Sequence, residues 1–237
     1  MITITISIEG NVGAGKSTLL NKLKEAYPEF NYVPEPVDTW LQVTDKDNNN
    51  ILKLYYSDFK RWAYTFQNFA FITRNLIMDE AIKTKKDSNI FITERCIHTD
   101  KNIFAKMLFD DKLMTDLEYS IYNFWFDKYA NETKIDAYIY LTTDVDLSAD
   151  RIKIRNREGE NIEKSYLTRL DEYHVSWIDN IDSEKVLRFD TVKDDISKVF
   201  NFIDNLKVES KIKKLCTESM FYNKKDMMET NLSKKID

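Results

Sequence analysis

The sequence has few cysteines, no long apolar run and no excess of positive charge. Its 237 residues include only two cysteines, Cys96 and Cys216, which form no disulfide framework and favour a reducing compartment. Every apolar run is shorter than the roughly 18 residues that indicate a membrane-spanning helix. The formal net charge of −5 argues against a nucleic-acid polymer as partner. We therefore expect a cytoplasmic protein that binds neither membranes nor nucleic-acid chains.

The order of the predicted elements indicates one α/β domain. Helical stretches alternate with strand-like runs at 2–8, 30–33, 89–93, 137–141 and 185–189. This alternation predicts a five-stranded parallel sheet with helices on both faces. The first strand leaves no room for a targeting peptide, so we expect none.

Three stretches are expected to form the longest helices of the domain. The stretch 61–85 contains no Gly or Pro and predicts one long helix. The stretches 144–157 and 163–181 predict two more, interrupted around Gly159. We expect the domain to span residues 1–207, followed by a charged tail, 208–237, that is a frayed helix or disordered.

A glycine-rich loop follows the first predicted strand. The spacing Gly10-x4-Gly15-Lys16-Ser17 matches the pattern of loops whose backbone N–H groups surround phosphate oxygens. In such loops the lysine reaches the β- and γ-phosphates, and the hydroxyl binds Mg²⁺. A strand precedes the loop and a helix follows it, as the motif requires. We expect the following residues to bind a nucleoside triphosphate: Gly10, Asn11, Val12, Gly13, Ala14, Gly15, Lys16, Ser17 and Thr18.

Carboxylates follow the second and third predicted strands, at the sheet edge where ligands bind. Glu35, between Pro34 and Pro36, is placed to accept a proton from an attacking hydroxyl. Glu94 is placed to hold Mg²⁺, and the adjacent Arg95 to hold a phosphate. The alternatives are a solvent-facing loop carboxylate for Glu35 and a surface ion pair for Glu94 and Arg95.

Basic residues cluster before Gly159. Arg151, Lys153, Arg155 and Arg157 lie near the end of a predicted helix. They are expected to form a lid whose arginines close over a transferring phosphoryl group. Alternatively, they only complement the dipole at the helix C-terminus.

Five ordered segments resemble the signatures of the deoxyribonucleoside kinase family over about residues 1–205. They are GNVGAGKST, EPVDTW, YYSDFKRWAYTFQNFAFITR, ERCIHTD and RIKIRNREGE. The resemblance implies a P-loop kinase fold with a small arginine-rich lid at about 154–163. It also implies ATP- and Mg²⁺-dependent phosphorylation of a deoxyribonucleoside at its 5′-hydroxyl, and a homodimer. The aromatic stretch 123–130 is a plausible pairing face.

The resemblance also implies roles for the residues that match these segments. Glu35 is the base, assisted by Arg95 and Lys16, with Ser17 and Glu94 on the metal. Arg155 and Arg157 act from the lid, and Arg151 and Arg155 contact the nucleotide. The implied nucleoside site comprises Tyr56 and Glu160 at the sugar 3′-hydroxyl, Gln67 at the base edge, and Trp40, Phe66 and Phe104 as walls.

Two further positions bear on the base. In this family an Arg and an Asp at the positions of Arg74 and Asp100 resemble the deoxycytidine, deoxyguanosine and deoxyadenosine kinases. Such a pair offers donors and acceptors to an amino or keto group and crowds a 5-methyl group, so we expect a substrate other than thymidine. Alternatively, Arg74 and Asp100 form only an internal ion pair.

The chain departs from the family pattern at Cys96, His98 and Tyr55. Tyr55 stands where methionine is frequent and could narrow the pocket. Two alternative functions stay open: a nucleoside monophosphate kinase of the thymidylate type, and a non-catalytic nucleotide-binding relative. The first would need a characteristic Asp-Arg-Tyr where this chain has Glu94-Arg95-Cys96, and the second would have no need of Lys16, Glu35, Arg95 and Arg157 together.

Overall fold

A computed structural model describes residues 3–129, 134–209 and 211–212. Its centre is a sheet of five parallel strands in the order β2-β3-β1-β4-β5. The strands are β1 (Ile4–Gly10), β2 (Asn31–Val33), β3 (Ile90–Glu94), β4 (Ala137–Thr142) and β5 (Val186–Asp190). The predicted five-stranded parallel sheet is confirmed, although β1 extends to Gly10 rather than ending at residue 8.

Among the described residues, nine α-helices lie between β1 and β5, and a further helical stretch follows β5. They are α1 (Lys16–Ala26), α2 (Val37–Gln42), α3 (Ile51–Ser57), α4 (Phe59–Lys83), α5 (Ile97–Thr99), α6 (Lys106–Asp110), α7 (Asp116–Tyr129), α8 (Val145–Arg155) and α9 (Lys164–Asp179). A π-helical segment, Asp100–Ala105, joins α5 to α6, a short 3-10 turn, Ser183–Lys185, precedes β5, and residues 197–209 are helical.

The three predicted long helices exist with shifted ends, and local chemistry explains the shifts. Helix α4 begins before residue 61 because the Asp58 side chain accepts a hydrogen bond from the backbone N–H of Arg61. Helix α8 stops at Arg155 because Asn156 adopts a left-handed conformation with φ 47°. Helix α9 begins at Lys164.

The two largest groups of buried apolar side chains in the described part of the chain lie next to the predicted site. The first lies between the sheet and α1 and includes Ile6, Ile8 and Leu23, all buried. The second joins α3, α4 and α7 and includes Tyr55, Phe66 and Tyr122. Because all strands are parallel, their carboxyl ends meet at one edge, where the two groups leave an open cleft.

Most of the tail predicted at 208–237 lies outside the described residues, as does Cys216. Cys96 is buried and has no disulfide partner among the described residues. None of the described helices is both long and apolar enough to cross a membrane.

Candidate active site

The phosphate loop lies between β1 and α1 and packs tightly on α8. Gly13 has φ 80°, and a Cβ built there would lie 2.4 Å from the carbonyl oxygen of Ser148. No side chain fits, so the sequence needs glycine here. Asn11 fixes the loop from behind, because its Nδ2 donates to the Leu167 carbonyl oxygen (2.8 Å) and its Oδ1 accepts from the Val12 N–H (2.8 Å).

Lys16 is folded back onto its own loop. Its Nζ donates to the carbonyl oxygens of Asn11 (2.9 Å) and Gly10 (3.3 Å). Burial, together with the nearby charge of Arg95, lowers the pKa of Lys16 to about 7. An anion in the loop would offset both effects and favour the charged ammonium.

Ser17 and Glu94 lie together, as predicted for metal ligands. The Ser17 hydroxyl donates to Glu94 Oε1 at 2.8 Å. A hydroxyl and a carboxylate are oxygen donors that suit Mg²⁺, which takes few protein ligands and completes its shell with phosphate and water. Within the described part of the chain, no group of three or more acidic, His or Cys side chains could form an all-protein metal cage.

Glu35 lies on the turn after β2 and is paired with two arginines. Its Oε1 lies 3.0 Å from Arg74 Nη2 and 3.3 Å from Arg95 Nε, and its side chain is only 17% exposed. Burial raises the pKa of Glu35, but the charges of Arg95, Arg74 and Lys16 outweigh it and hold the pKa at about 2. Glu35 is therefore ionised at neutral pH and is not a free surface carboxylate.

Arg74 contacts more groups than the sequence predicts. Its Nε and Nη2 donate to Asp100 at 2.8 and 3.2 Å, and its Nη1 donates to the Glu94 carbonyl oxygen at 3.0 Å. The pair with Asp100 is thus an internal ion pair that also lines the cleft. The contact between Arg74 and Glu35 was missed, because 39 residues separate them and no local pattern links them.

Aromatic side chains form a pocket beside Glu35. Trp40 donates from Nε1 to Thr73 Oγ1 (2.9 Å) and meets Phe66 edge-on at 5.2 Å between ring centroids. The Arg95 guanidinium lies over the Phe104 ring at 5.0 Å. The predicted residues Tyr56 and Gln67 line the same pocket.

Tyr55 lines this pocket, and its hydroxyl meets that of Tyr166. The two hydroxyls lie 2.7 Å apart, and the Tyr55 ring lies against Phe66 at 4.6 Å. Tyr55, which the sequence marks as a departure, is buried and lines the pocket. Tyr166 comes from α9 and was not predicted.

Three residues that the sequence assigns to a lid form one ion-pair cluster. The side chain of Glu160 is 4% exposed and accepts from Arg155 Nε and Nη2 at 3.1 and 2.6 Å, and from Arg157 Nη1 at 3.4 Å. Gly159, with φ 78°, presses on α3, where a Cβ would lie 2.6–2.9 Å from the backbone and Cβ of Lys53. The arginines are thus held beside the cleft by Glu160.

Arg151 lies at the end of the cleft that is opposite the aromatic pocket. Its Nη1 lies 3.4 Å from the Ala14 carbonyl oxygen and 3.4 Å from Thr191 Oγ1. The sequence does not predict the residues that follow β5, although ligands are expected at the carboxyl ends of all parallel strands. This end is lined by Leu141 within β4, Phe189 within β5, and Thr191, Asp194, Asp195 and Ile196 after β5.

Most of these residues border one cleft of about 960 Å³. Every predicted site residue lines it except Gly10 and Asn11, which lie behind the phosphate loop. A phosphate-binding loop, an ionised carboxylate and an aromatic pocket thus share one space. Chemically, this arrangement can hold a phosphate donor and an acceptor hydroxyl side by side.

Comparison with known proteins gives one family. The sequence model of the deoxynucleoside kinase family matches residues 6–217. The deoxycytidine kinase of Mus musculus is 34% identical over 193 residues, covering 73% of this chain and 74% of that relative. The "Probable deoxycytidine kinase" of fowlpox virus is 41% identical over 177 residues, covering 73% and 71%. The mitochondrial deoxyguanosine kinase of Xenopus laevis is 30% identical over 191 residues, covering 73% and 72%.

Proposed function

The chain belongs to the deoxynucleoside kinase family, and from that premise we propose that it transfers the γ-phosphoryl group of ATP to the 5′-hydroxyl of a deoxyribonucleoside. The observation that carries this proposal is the position of Glu35, which lies between the phosphate loop and the aromatic pocket with two arginines on one of its oxygens. The product is a deoxynucleoside monophosphate, as nucleotide salvage requires.

Glu35 acts as the base. It is ionised at neutral pH, so it accepts the proton of the 5′-hydroxyl as that oxygen attacks the γ-phosphorus. Arg95 and Arg74 orient its carboxylate, and Lys16, Arg155 and Arg157 neutralise the charge on the transferring phosphoryl group. The arginines of the lid, at about residues 154–163 of a kinase domain spanning 1–207, exchange their contact with Glu160 for phosphate oxygens.

Ser17 and Glu94 hold Mg²⁺ in this proposal. The ion supplies charge that neutralises the phosphates of the donor when it is bound. The donor's phosphates lie in the loop formed by residues 10–18, and its base lies at the far end of the cleft, near Arg151 and Thr191.

The acceptor is deoxycytidine or a purine deoxynucleoside rather than thymidine. Gln67 pairs with the base edge, Tyr56 and Glu160 bind the sugar, and Trp40, Phe66 and Phe104 enclose the base. Arg74 and Asp100 lie at the floor of the pocket, where a 5-methyl group would be crowded.

A homodimer is supported by an apolar face on two packed helices. Helices α4 and α7 pack through Phe71 and Tyr122 and still expose large apolar side chains on their outer side. These exposed residues are Ile72, Leu76, Leu117, Ile121, Phe124 and Trp125. The face includes part of the predicted stretch 123–130. We place this dimer in the cytoplasm, where the free thiol of Cys96 stays reduced.

The test is the initial rate with ATP and Mg²⁺ against deoxycytidine, deoxyguanosine, deoxyadenosine and thymidine. We expect turnover of a non-thymidine nucleoside, a loss of at least about 100-fold in kcat for Glu35→Gln, and no change for the exposed control Glu184→Gln. Thymidine as the best substrate would refute the base assignment alone. Turnover of a nucleoside monophosphate but of no nucleoside would indicate a monophosphate kinase, and tight ATP binding without any turnover would indicate a non-catalytic relative.

A further inference from the structure

A buried carboxylate lies directly beneath the turn that carries Arg95 and has no part in the proposed reaction. Glu9, near the end of β1, has 0% exposure. Its Oε1 accepts from Ser7 Oγ (2.5 Å), Thr99 Oγ1 (2.7 Å) and Cys96 Sγ (3.4 Å). Its Oε2 has no hydrogen-bond partner among the residues that the structure describes. Three donors therefore converge on one oxygen of a side chain removed from solvent.

The turn above Glu9 is strained and needs such support. Arg95 has φ 63°, a left-handed conformation that is unfavourable for a residue with a side chain. Its backbone N–H donates to the Ile8 carbonyl oxygen (3.0 Å), and its Nη1 donates to the Gly10 carbonyl oxygen (3.2 Å). Both acceptors are immediate neighbours of Glu9 in β1.

Glu9 also holds the far side of the turn. The backbone N–H of Cys96 donates to Thr99 Oγ1 (3.3 Å), and this same hydroxyl donates to Glu9. The hydrogen bonds thus run from β1 through Glu9 and Thr99 to the residue that follows Arg95. With the turn held, the Arg95 guanidinium lies over Phe104 and reaches Glu35.

We infer that Glu9 is a positioning residue that fixes the left-handed turn through Thr99 and Cys96 and so directs Arg95 at Glu35. The inference rests on the function proposed above for Glu35 and Arg95. Burial raises the pKa of Glu9 and outweighs its hydrogen bonds and the charge of Arg95. All three hydrogen bonds to its side chain end on Oε1. The positioning role therefore needs one acceptor oxygen at this place, which the amide oxygen of Gln also supplies.

The experiment compares Glu9→Leu, Thr99→Val and Glu9→Gln in the full-length protein. We expect kcat to fall at least about tenfold in the first two variants and to stay within twofold in Glu9→Gln. The Kd of ATP should stay within twofold in all three, because the phosphate loop is unchanged. A further readout separates positioning from general destabilisation. Glu35 is faced by Arg95, Arg74 and Lys16, so turning Arg95 away raises the pKa of Glu35 and moves the acid limb of the kcat/KM profile to higher pH.

Several results would overturn the inference. The first is an unchanged kcat in Thr99→Val, and the second is a loss of ATP affinity parallel to the loss of kcat. The others are an acid limb of the kcat/KM profile that does not move, and a kcat of Glu9→Gln that falls more than twofold. If Glu9→Leu does not fold, Thr99→Val alone decides. Crystal structures of the wild type and Thr99→Val give a readout that does not depend on turnover. Retention of a positive φ at Arg95 and of its contact with Glu35 in that variant would refute the inference even if the proposed function failed.

Discussion

Gly159 offers a sharp test of the lid, because the structure sets a lower bound on the effect of replacing it. A Cβ at this position would lie 2.6 Å from Lys53 Cβ, 2.8 Å from its Cα and 2.9 Å from its backbone nitrogen. Two of these three atoms belong to the backbone of α3 and cannot turn away as a flexible side chain does. In addition, φ is +78° at Gly159, which a residue with a Cβ adopts only at a cost of about 1–2 kcal/mol.

In Gly159→Ala the lid must either accept this strain or lift from α3. We assume that the lid keeps this position when the phosphoryl group is transferred. A backbone cost of about 1–2 kcal/mol then lowers kcat/KM by roughly 5- to 30-fold, and the steric contact with Lys53 increases this loss. The Tm should fall by no more than about 8 °C, because 1 kcal/mol shifts the Tm of a chain of this length by only about 2–4 °C.

The assay is steady-state kinetics with ATP and the preferred nucleoside, together with thermal unfolding. The matched control is Glu158→Ala, an exposed neighbour, which we expect to leave kcat/KM within twofold. A Gly159→Ala variant with kcat/KM within twofold of the wild type would refute the argument that the lid must pack on Lys53 during catalysis.

Three further predictions concern the donor, the base and the dimer. The pKa of Lys16 is about 7 in the free protein, and the negative charge of bound phosphate raises it. ATP binding at pH 8 should therefore take up a fraction of a proton, and the affinity for ATP should fall as the pH rises. Calorimetry in buffers of different ionisation enthalpy measures the uptake, and equal uptake by Lys16→Arg would contradict the prediction. Asp100→Asn removes the charged partner of Arg74. Because a hydrogen bond to a charged group contributes about 1.5–3 kcal/mol, the ratio of kcat/KM for deoxycytidine to kcat/KM for thymidine should fall at least about tenfold. An unchanged ratio would count against the base assignment. Phe124→Glu should dissociate the dimer in analytical ultracentrifugation, whereas Val208→Glu, an exposed apolar residue outside the face, should not; a monomeric wild type would refute the proposed face.

The sequence predicts the parts of the site that follow from chain order. The glycine spacing identifies the phosphate loop, and the strand-end rule leads to Glu35, Glu94 and Arg95, since a parallel sheet gathers the ends of its strands at one edge. The five strands are also predictable, because each is a short run of β-branched or aromatic residues.

Contacts between distant side chains are not predictable in this way. In the sequence Glu9 is one polar residue between the predicted strand 2–8 and the phosphate loop, although it is fully buried and bound by residues 87 and 90 positions away. Nothing near Arg74 indicates that it meets Glu35, and nothing near Tyr166 indicates that it meets Tyr55. These pairings depend on how helices pack over the sheet, which no periodicity encodes.

The strand order has a consequence for how such a protein can diversify. With β1 in the centre, side chains from both sides of it line the cleft. In the proposed reaction the acceptor pocket comes mainly from residues 35–104, with Glu160 added from the lid, whereas the donor end comes from the phosphate loop, Arg151 and residues 191–196. Most of the acceptor pocket is therefore one contiguous block of sequence. Exchange of that block between relatives would change the acceptor preference and keep the donor end, so new nucleoside specificities can arise without rebuilding the phosphate loop.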